Sequence, residues 1–357
     1  MKVNSTIKQK TNKPKILFSI VIVIMVLIVV FVTGELLIRI LNPQVSLYPR
    51  FQFSSKYGFM LFEKCKMIHM RPGKWKFTYT INEFQYRGKL TPISNYYDKE
   101  NIVILGDSSS FGMGVNDGDE YALIMAHKLK DNYNVINLSL PGSGLAQQIR
   151  RYYEFGQLYS PKILLLQFSL TDPIDNFTNM VTIVEKKRFK FQNVEAFHNW
   201  AKKYLSKSII QKSQIYNLVR NAAYQFFARR AQKKTKLIFQ KGNIYDDQKI
   251  KPEEHFYNEL LDLFAKDLNR KGIDVIMISV NGELDFFPNI KEKIFDLDSK
   301  GLINYHEVIP WFENIRNYGS LEGHPWGKKG HYIIGAKLSE IIKNRPCPKS
   351  TVRSSNN

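Results

Sequence analysis

The chain has 357 residues, 44% of them hydrophobic and 24% charged, with a formal net charge of +20. That apolar share supports a large globular core and excludes a disordered or low-complexity chain. Two cysteines, Cys65 and Cys347, make no disulfide framework, and no His-x-x-x-His or Cys-x-x-Cys spacing points to a structural or catalytic metal.

Lys2, Lys8, Lys10, Lys13 and Lys15 precede a run from Ile16 to Thr33, 18 residues without a charge. That length suits a membrane span. No small-x-small cleavage site follows it, so a retained anchor is preferred to a cleaved leader. Lysines before the run and Glu35 after it orient the N-terminus to the cytoplasm, leaving the rest of the chain outside the inner membrane. Residues 1–15 are read as a basic tail, 16–34 as the anchor and 35–98 as a membrane-proximal arm that opens on a short helical exit, Glu35–Pro43. In the arm, Arg71-Pro72-Gly73 and the alternating stretch 75–81 suggest a small β element. The segment is expected to be a packing arm that spaces the following domain from the bilayer.

From 99 to 345 apolar runs alternate with helical patterns. Strands are predicted at 102–105, 135–140, 163–170, 274–280 and 301–308, and helices at 119–131, 144–158, 253–271 and 328–343. This order predicts an α/β domain of three layers, α/β/α, around a parallel sheet. The near-continuous apolar strands fit burial on both faces.

A basic insertion, 177–252, interrupts the alternation. Residues 181–251 hold 17 Lys and Arg against four acidic residues, a net of +13. Within it Ile215, Leu218, Val219, Ala222, Ala223, Phe226 and Phe227 recur at helical spacing and predict an amphipathic helix over 209–232. No nucleic-acid motif accompanies the charge, and no nucleic-acid partner is expected. A solvated helix covering the site, or a basic face against anionic headgroups, accounts for it better than a cleft for an acidic envelope glycan. The polar tail 346–357 is expected to fray. Nothing indicates a cofactor or an obligate protein partner.

The chemistry centres on Asn101–Gly114, NIVILGDSSSFGMG. A buried strand that stops at Gly106 and turns into a helix puts Ser108 on an exposed corner, where its hydroxyl can attack a substrate and neighbouring N–H groups can stabilise negative charge. Among seven histidines, only His324 sits in a stiff turn, Leu321-Glu322-Gly323-His324-Pro325-Trp326-Gly327, with Glu322 placed to fix its tautomer. The second strand ends in a turn containing Gly142 and Gly144, where the main chain can approach a substrate closely. The third ends in Ser169-Leu170-Thr171-Asp172-Pro173, with Thr171 or Asp172 expected on the same rim. In open α/β sheets, sites gather beyond the carboxyl ends of the strands.

With those residues in place, the chain resembles the SGNH hydrolases of the GDSL type, in their membrane-anchored bacterial branch, from about Ile81 to the closing helix. Asn82-Glu83-Phe84-Gln85-Tyr86-Arg87-Gly88 is similar to that branch's pre-domain segment. The resemblance implies the flavodoxin-like fold of the family. Ser108 is implied as nucleophile and first oxyanion donor, Gly142 as second donor, His324 as base and Glu322 as its orienting acid. The family's third block usually reads Asn-Asp and here reads Thr171-Asp172; its last block usually carries Asp where Glu322 stands. Losing a side-chain oxyanion donor typically costs about 10²–10³ in turnover. His331 corresponds to a structural histidine, and Trp326 is open between packing and stacking on a sugar. The activity implied is that of a membrane-anchored extracytoplasmic serine esterase, acting on an acyl or acetyl ester of a cell-envelope glycan or lipid. The alternatives are an acyltransferase working through an acyl-Ser108 intermediate, or a catalytically degenerate domain that binds an envelope polymer.

Overall fold

A computed structural model describes residues 13–54, 56–88, 98–176, 209–223, 226 and 251–345. Most of the predicted basic insertion and the tail with Cys347 lie outside the described residues.

The first helix, α1, runs unbroken over Lys13–Leu41. The separate exit at Glu35 is therefore a continuation of the same helix. No proline interrupts it before Pro43, and Asn42 N–H closes the last turn on the Ile38 carbonyl at 3.0 Å. Leu17–Leu41, 25 residues, is long and apolar enough to cross a membrane. At 1.5 Å per residue it spans about 37 Å, more than a bilayer's hydrocarbon core.

The arm is more ordered than a spacer requires. Strands β1 (Ser46–Tyr48), β4 (Cys65–Arg71) and β5 (Trp75–Ile81) form a sheet in the order β1-β4-β5. A separate hairpin pairs β2 (Gln52–Ser54) with β3 (Gly58–Met60). The turn Arg71-Pro72-Gly73-Lys74 joins β4 to β5, and the pairing runs without a break from Cys65↔Ile81 to Arg71↔Trp75. One face of this unit shares a core with the α/β domain. Tyr79, Met67 and Ile81 pack with Phe111, Met113 and Leu140. The arm thus packs on the loops that carry the candidate site.

The main sheet has five parallel strands: β6 (Glu100–Leu105), β7 (Tyr133–Asn137), β8 (Ile163–Phe168), β9 (Asp274–Ser279) and β10 (Asn304–His306). Their order is β10-β9-β8-β6-β7. Counted from β6, this is the doubly wound order 2-1-3-4-5, whose direction reverses between β6 and β8. Ligands in such sheets bind at that switch point. β6, β8 and β9 are buried along nearly their whole length, as strands covered on both faces must be.

Helices α4 (Leu145–Glu154), α6 (Pro252–Arg270) and α7 (Pro288–Ser299) cover one face, through Tyr152, Phe264 and Ile294 among others. Helices α3 (Tyr121–Lys128) and α8 (Lys328–Lys343) cover the other, through Met125, Ile334 and Leu338. A one-turn helix α2 (Ser108–Phe111) follows β6, and α5 covers 214–223. Of the predicted helix 209–232, the described residues form a 3₁₀ turn, Ile209–Lys212, and then α5, which bonds to Val45 and Ser46 at the start of β1; residues 224–225 and 227–232 lie outside the described residues. Helix α7 has no counterpart among the predicted elements.

Candidate active site

The candidate nucleophile sits where β6 gives way to α2. Asp107 caps that turn, its carboxylate accepting from Ser109 N–H at 2.8 Å. Ser108 is the first helical residue and half-buried, and its own N–H has no hydrogen-bond partner among the described residues. The turn is wedged from below. Gln167 Oε1, at the end of β8, accepts from Asp107 N–H at 3.3 Å and from the Ser110 hydroxyl at 2.9 Å. Asn137, at the end of β7, donates to the Ser110 carbonyl at 2.8 Å.

A second brace comes from the pre-domain segment. Arg87, 4% exposed, donates to the carbonyls of Phe111 at 3.0 Å, Gly112 at 2.6 Å and Val115 at 3.0 Å. Its Nε also donates to Asp117 at 3.1 Å, and the guanidinium lies 4.8 Å from the centre of the Tyr79 ring. Its planar fork thereby holds the carbonyls that follow Ser108, including those a one-turn helix leaves unpaired at its C-terminal end.

The histidine turn is closed on itself and docked on that same loop. Ser320 N–H donates to the His324 carbonyl at 3.0 Å, and Gly327 N–H to the Tyr318 carbonyl at 2.7 Å. The Ser320 hydroxyl then reaches the Gly114 carbonyl at 3.0 Å. Gly114 is in the left-handed region, φ +84°, and a Cβ there would stand 2.5 Å from Glu322 Oε1. Only glycine lets the turn come so near. Within it, Glu322 Oε1 pairs with His324 Nδ1; the carboxylate is nearly buried and the ring about one quarter exposed. His324 Nε2 is therefore the ring nitrogen left to act on substrate. Among the described residues no hydrogen bond joins it to Ser108 Oγ; catalytic contacts of this kind commonly tighten only in the Michaelis complex.

Behind the turn stands the arm. His69, buried, shares a 3.1 Å hydrogen bond with the Tyr79 hydroxyl, which itself accepts from Gly114 N–H at 3.0 Å. Burial, opposed by Glu322 and reinforced by His324, pulls the His69 imidazole down to about 4. It stays neutral there and acts as a packing and hydrogen-bonding group.

Gly142 occupies the second rim turn, half-buried, with the Phe59 ring against it. Leu140 N–H and the Ser143 hydroxyl both donate to the Gly106 carbonyl, at 3.0 and 3.2 Å, so this turn is tied to the residue next to Asp107. Thr171 is exposed at the third strand end, where its hydroxyl lies 3.4 Å from the Ser169 hydroxyl and is bonded to the Asp175 carboxyl. Asp172 does not face the rim. It is fully buried, accepting from Ser169 N–H at 3.2 Å and lying 3.5 Å from Gln148 Nε2. Its side chain points into the fold because the turn that follows β8 is pinned through it.

Four carboxyl groups gather beneath Ser108: Asp107, Asp172, Asp175 and Glu283. Burial, then repulsion from Asp107 and Asp175, holds Asp172 well above the usual carboxylate range. Burial, with Asp107 nearby, raises Asp175 and Glu283 each to about 7. Glu283 accepts from Leu170 N–H at 2.6 Å and so holds the third rim turn.

Trp326 is 1% exposed, T-shaped against Tyr121, with its indole N–H on Asn281 Oδ1 at 2.9 Å; it packs and has no face for a sugar. His331 is buried, accepts from Tyr121 N–H at 3.2 Å and stacks on the Tyr121 ring, a structural placement. Burial pulls it down to about 3. The motifs do not mark Arg87 or Gln167 as site residues. A glutamine inside the otherwise apolar ILLLQF was the available signal for Gln167; Arg87 offered none beyond its place in the pre-domain segment.

No family model and no curated protein matches the sequence. Solved structures with a similar fold include the lipase/acylhydrolase from Enterococcus faecalis, 13% identical over 70% of this chain and 98% of that one, with a TM-score of 0.40. Another is the psychrotrophic esterase EstA from a Pseudoalteromonas species, 11% identical over 69% and 97%, with a TM-score of 0.38. A third is a catalytic mutant of an acetylxylan esterase from Geobacillus stearothermophilus, 10% identical over 68% and 94%, also at 0.38.

Proposed function

We propose that this chain is a membrane-anchored serine esterase of the SGNH/GDSL type, with Ser108 as nucleophile, His324 as base and Glu322 as orienting acid. The observation that carries the proposal is the Glu322–His324 pair on a turn bonded, through Ser320 and Gly114, to the loop that leaves Ser108. A nucleophile, a base and a group that orients the base are the minimum for acyl transfer through a serine.

In the reaction, Ser108 Oγ attacks the ester carbonyl as His324 Nε2 takes its proton. Glu322 holds the other ring nitrogen and stabilises the imidazolium. The N–H groups of Ser108 and Gly142 receive the developing oxyanion, main-chain donors that do not depend on the amide missing at Thr171. The imidazolium returns the proton to the leaving alkoxide, and water, activated by the same imidazole, then releases the acid from Ser108. The substrate class is an acyl or acetyl ester of an envelope glycan or lipid. The span in α1 and the lysines before it support a catalytic domain outside the cytoplasmic membrane.

Purified full chain in detergent, incubated with short p-nitrophenyl esters beside Ser108→Ala, tests the activity. Equal rates for the two proteins end the esterase reading. One observation favours a second reading, a domain that binds an envelope polymer without turning it over: the Thr171 hydroxyl is engaged by Asp175 and Ser169.

A further inference from the structure

Helix α5 is built inside out for a helix in water. Its polar side chains face the protein. Gln214 and Asn217 are each 1% exposed, Gln214 Oε1 accepts from Gln44 N–H, and Asn217 Nδ2 donates to the Ser46 hydroxyl at 3.0 Å. Asn221 Nδ2 reaches the Val45 carbonyl at 3.4 Å. Three of its apolar side chains face outward, Leu218, Val219 and Ala222, with Val219 exposed by 63%, while Ile215 is half-buried beside Gly34. An amphipathic helix on a soluble surface shows the opposite arrangement.

The N-terminus of α5 sits against the last turns of α1. The Glu35 carboxylate caps the N-terminus of α5, accepting from Gln214 N–H at 2.8 Å, Ile215 N–H at 3.1 Å and the Ser213 hydroxyl at 2.9 Å. Arg39, one turn on, pairs with Glu35 and donates to the Lys212 carbonyl at 3.2 Å. The two charges in the last turns of α1 are therefore spent on α5. The rest of that stretch stays apolar: Leu36, Leu37, Ile40 and Leu41 are all exposed, Ile40 by 74%. Glu35 does not mark the end of the apolar surface, which continues for about 9 Å of helix beyond it.

We propose that α5 is an interfacial membrane helix, its Leu218, Val219 and Ala222 face lying in the outer leaflet beside α1, with Glu35 fixing its depth. This rests on α1 being a retained anchor. A helix in that position buries its apolar face about 5–10 Å into the boundary between headgroups and acyl chains. Lys212, exposed, then lies at headgroup level, where anionic lipid favours it. The consequence is a catalytic domain held at two points, so that it cannot tumble freely on α1 and presents its rim at a fixed height.

The test uses the full chain with Cys65 and Cys347 replaced by serine, reconstituted in phosphatidylethanolamine–phosphatidylglycerol vesicles. A single cysteine is placed at Val219 or Val26 and labelled with an environment-sensitive nitrobenzoxadiazole dye. Both native side chains are exposed in the structure, so neither change disturbs the core. The expected result is a blue-shifted dye at Val219→Cys that lipids with a shallow nitroxide quench at least ~2-fold, and a dye at Val26→Cys quenched best by deep nitroxides. Unquenched, water-like emission at Val219→Cys beside normal quenching at Val26→Cys overturns the proposal while leaving the anchor intact. Blue-shifted but unquenched emission at Val219→Cys also overturns it, since protein and not lipid then covers the face. Loss of quenching at both positions removes the anchor itself.

Discussion

The Ser320 hydroxyl donates to the Gly114 carbonyl at 3.0 Å, and that bond joins two loops separated by some two hundred residues. Through it the Glu322–His324 pair is held to the loop that leaves Ser108. Gly114 is the sensitive member, because any Cβ there would collide with Ser320 Oγ and stand 2.5 Å from Glu322 Oε1.

Gly114→Ala is expected to lower kcat by about 10²-fold with little change in KM, the size of effect that a misplacement of about 1 Å produces. Ser320→Ala, which removes one hydrogen bond and inserts nothing, is expected to cost only ~0.5–1.5 kcal/mol of stability and a smaller share of turnover. Ester kinetics and thermal melts on the two variants check the ranking; a larger kcat loss in Ser320→Ala reverses it.

Arg87 is expected to matter to both fold and rate. Arg87→Met leaves the buried carbonyls of Phe111, Gly112 and Val115 without their donor and Glu120 without its counter-charge, and should destabilise by about 3–5 kcal/mol, as breaking a buried ionic network does. Arg87→Lys keeps the charge but cannot reach three carbonyls with one ammonium, and should recover only part of the loss. Denaturant unfolding measures both, and full recovery by lysine rules out the fork as the reason for arginine.

Thr171→Ala is expected to change kcat by less than about threefold. A side-chain oxyanion donor is worth about 10²–10³, but the Thr171 hydroxyl already serves Asp175 and Ser169. A hundredfold loss places Thr171 in the oxyanion site after all.

The carboxyls beneath Ser108 set a pH dependence of stability. Asp175 and Glu283 rise from ordinary values of 3.8 and 4.5 to about 7 in the fold. Below pH ~4 they are protonated in folded and unfolded chains alike. Between pH ~4 and ~7 the unfolded chain releases these protons and the fold retains them, so stability falls as pH rises through that window. Asp175→Asn and Glu283→Gln should flatten the decline and raise Tm at pH 8, by about 2–4 °C per kcal/mol recovered. Identical pH profiles for wild type and variants contradict this.

Much of the scaffold was legible because its physics is local. β6, β8 and β9 are uninterrupted apolar runs, and burial on both faces of a parallel sheet demands such runs. Helix α8 was predicted with its observed bounds, 328–343, because Gly327 precedes it and its apolar residues recur at helical period. Helix α7 escaped notice because Phe286-Phe287-Pro288 reads as a break, while Ile290, Ile294 and Leu297 are diluted by charges. The partners of the arm are hidden for a different reason. Tyr79 and Met67 find their partners, Phe111 and Met113, in a loop thirty or more residues away, and no local pattern announces such a contact. Asp172 shows the limit for sites: its place in the chain suggested the rim, and only the turn's hydrogen bonds to Ser169 show it buried.

Whether Ser108 is an activated nucleophile is decided most directly by fluorophosphonate labelling of the full chain, followed by mass spectrometry of the labelled peptide. Stoichiometric modification at Ser108, abolished in Ser108→Ala and slowed at least ~10²-fold in His324→Ala, is the expected result, since a serine becomes reactive only through its base. Absence of label on the folded protein, or undiminished labelling without His324, contradicts the account.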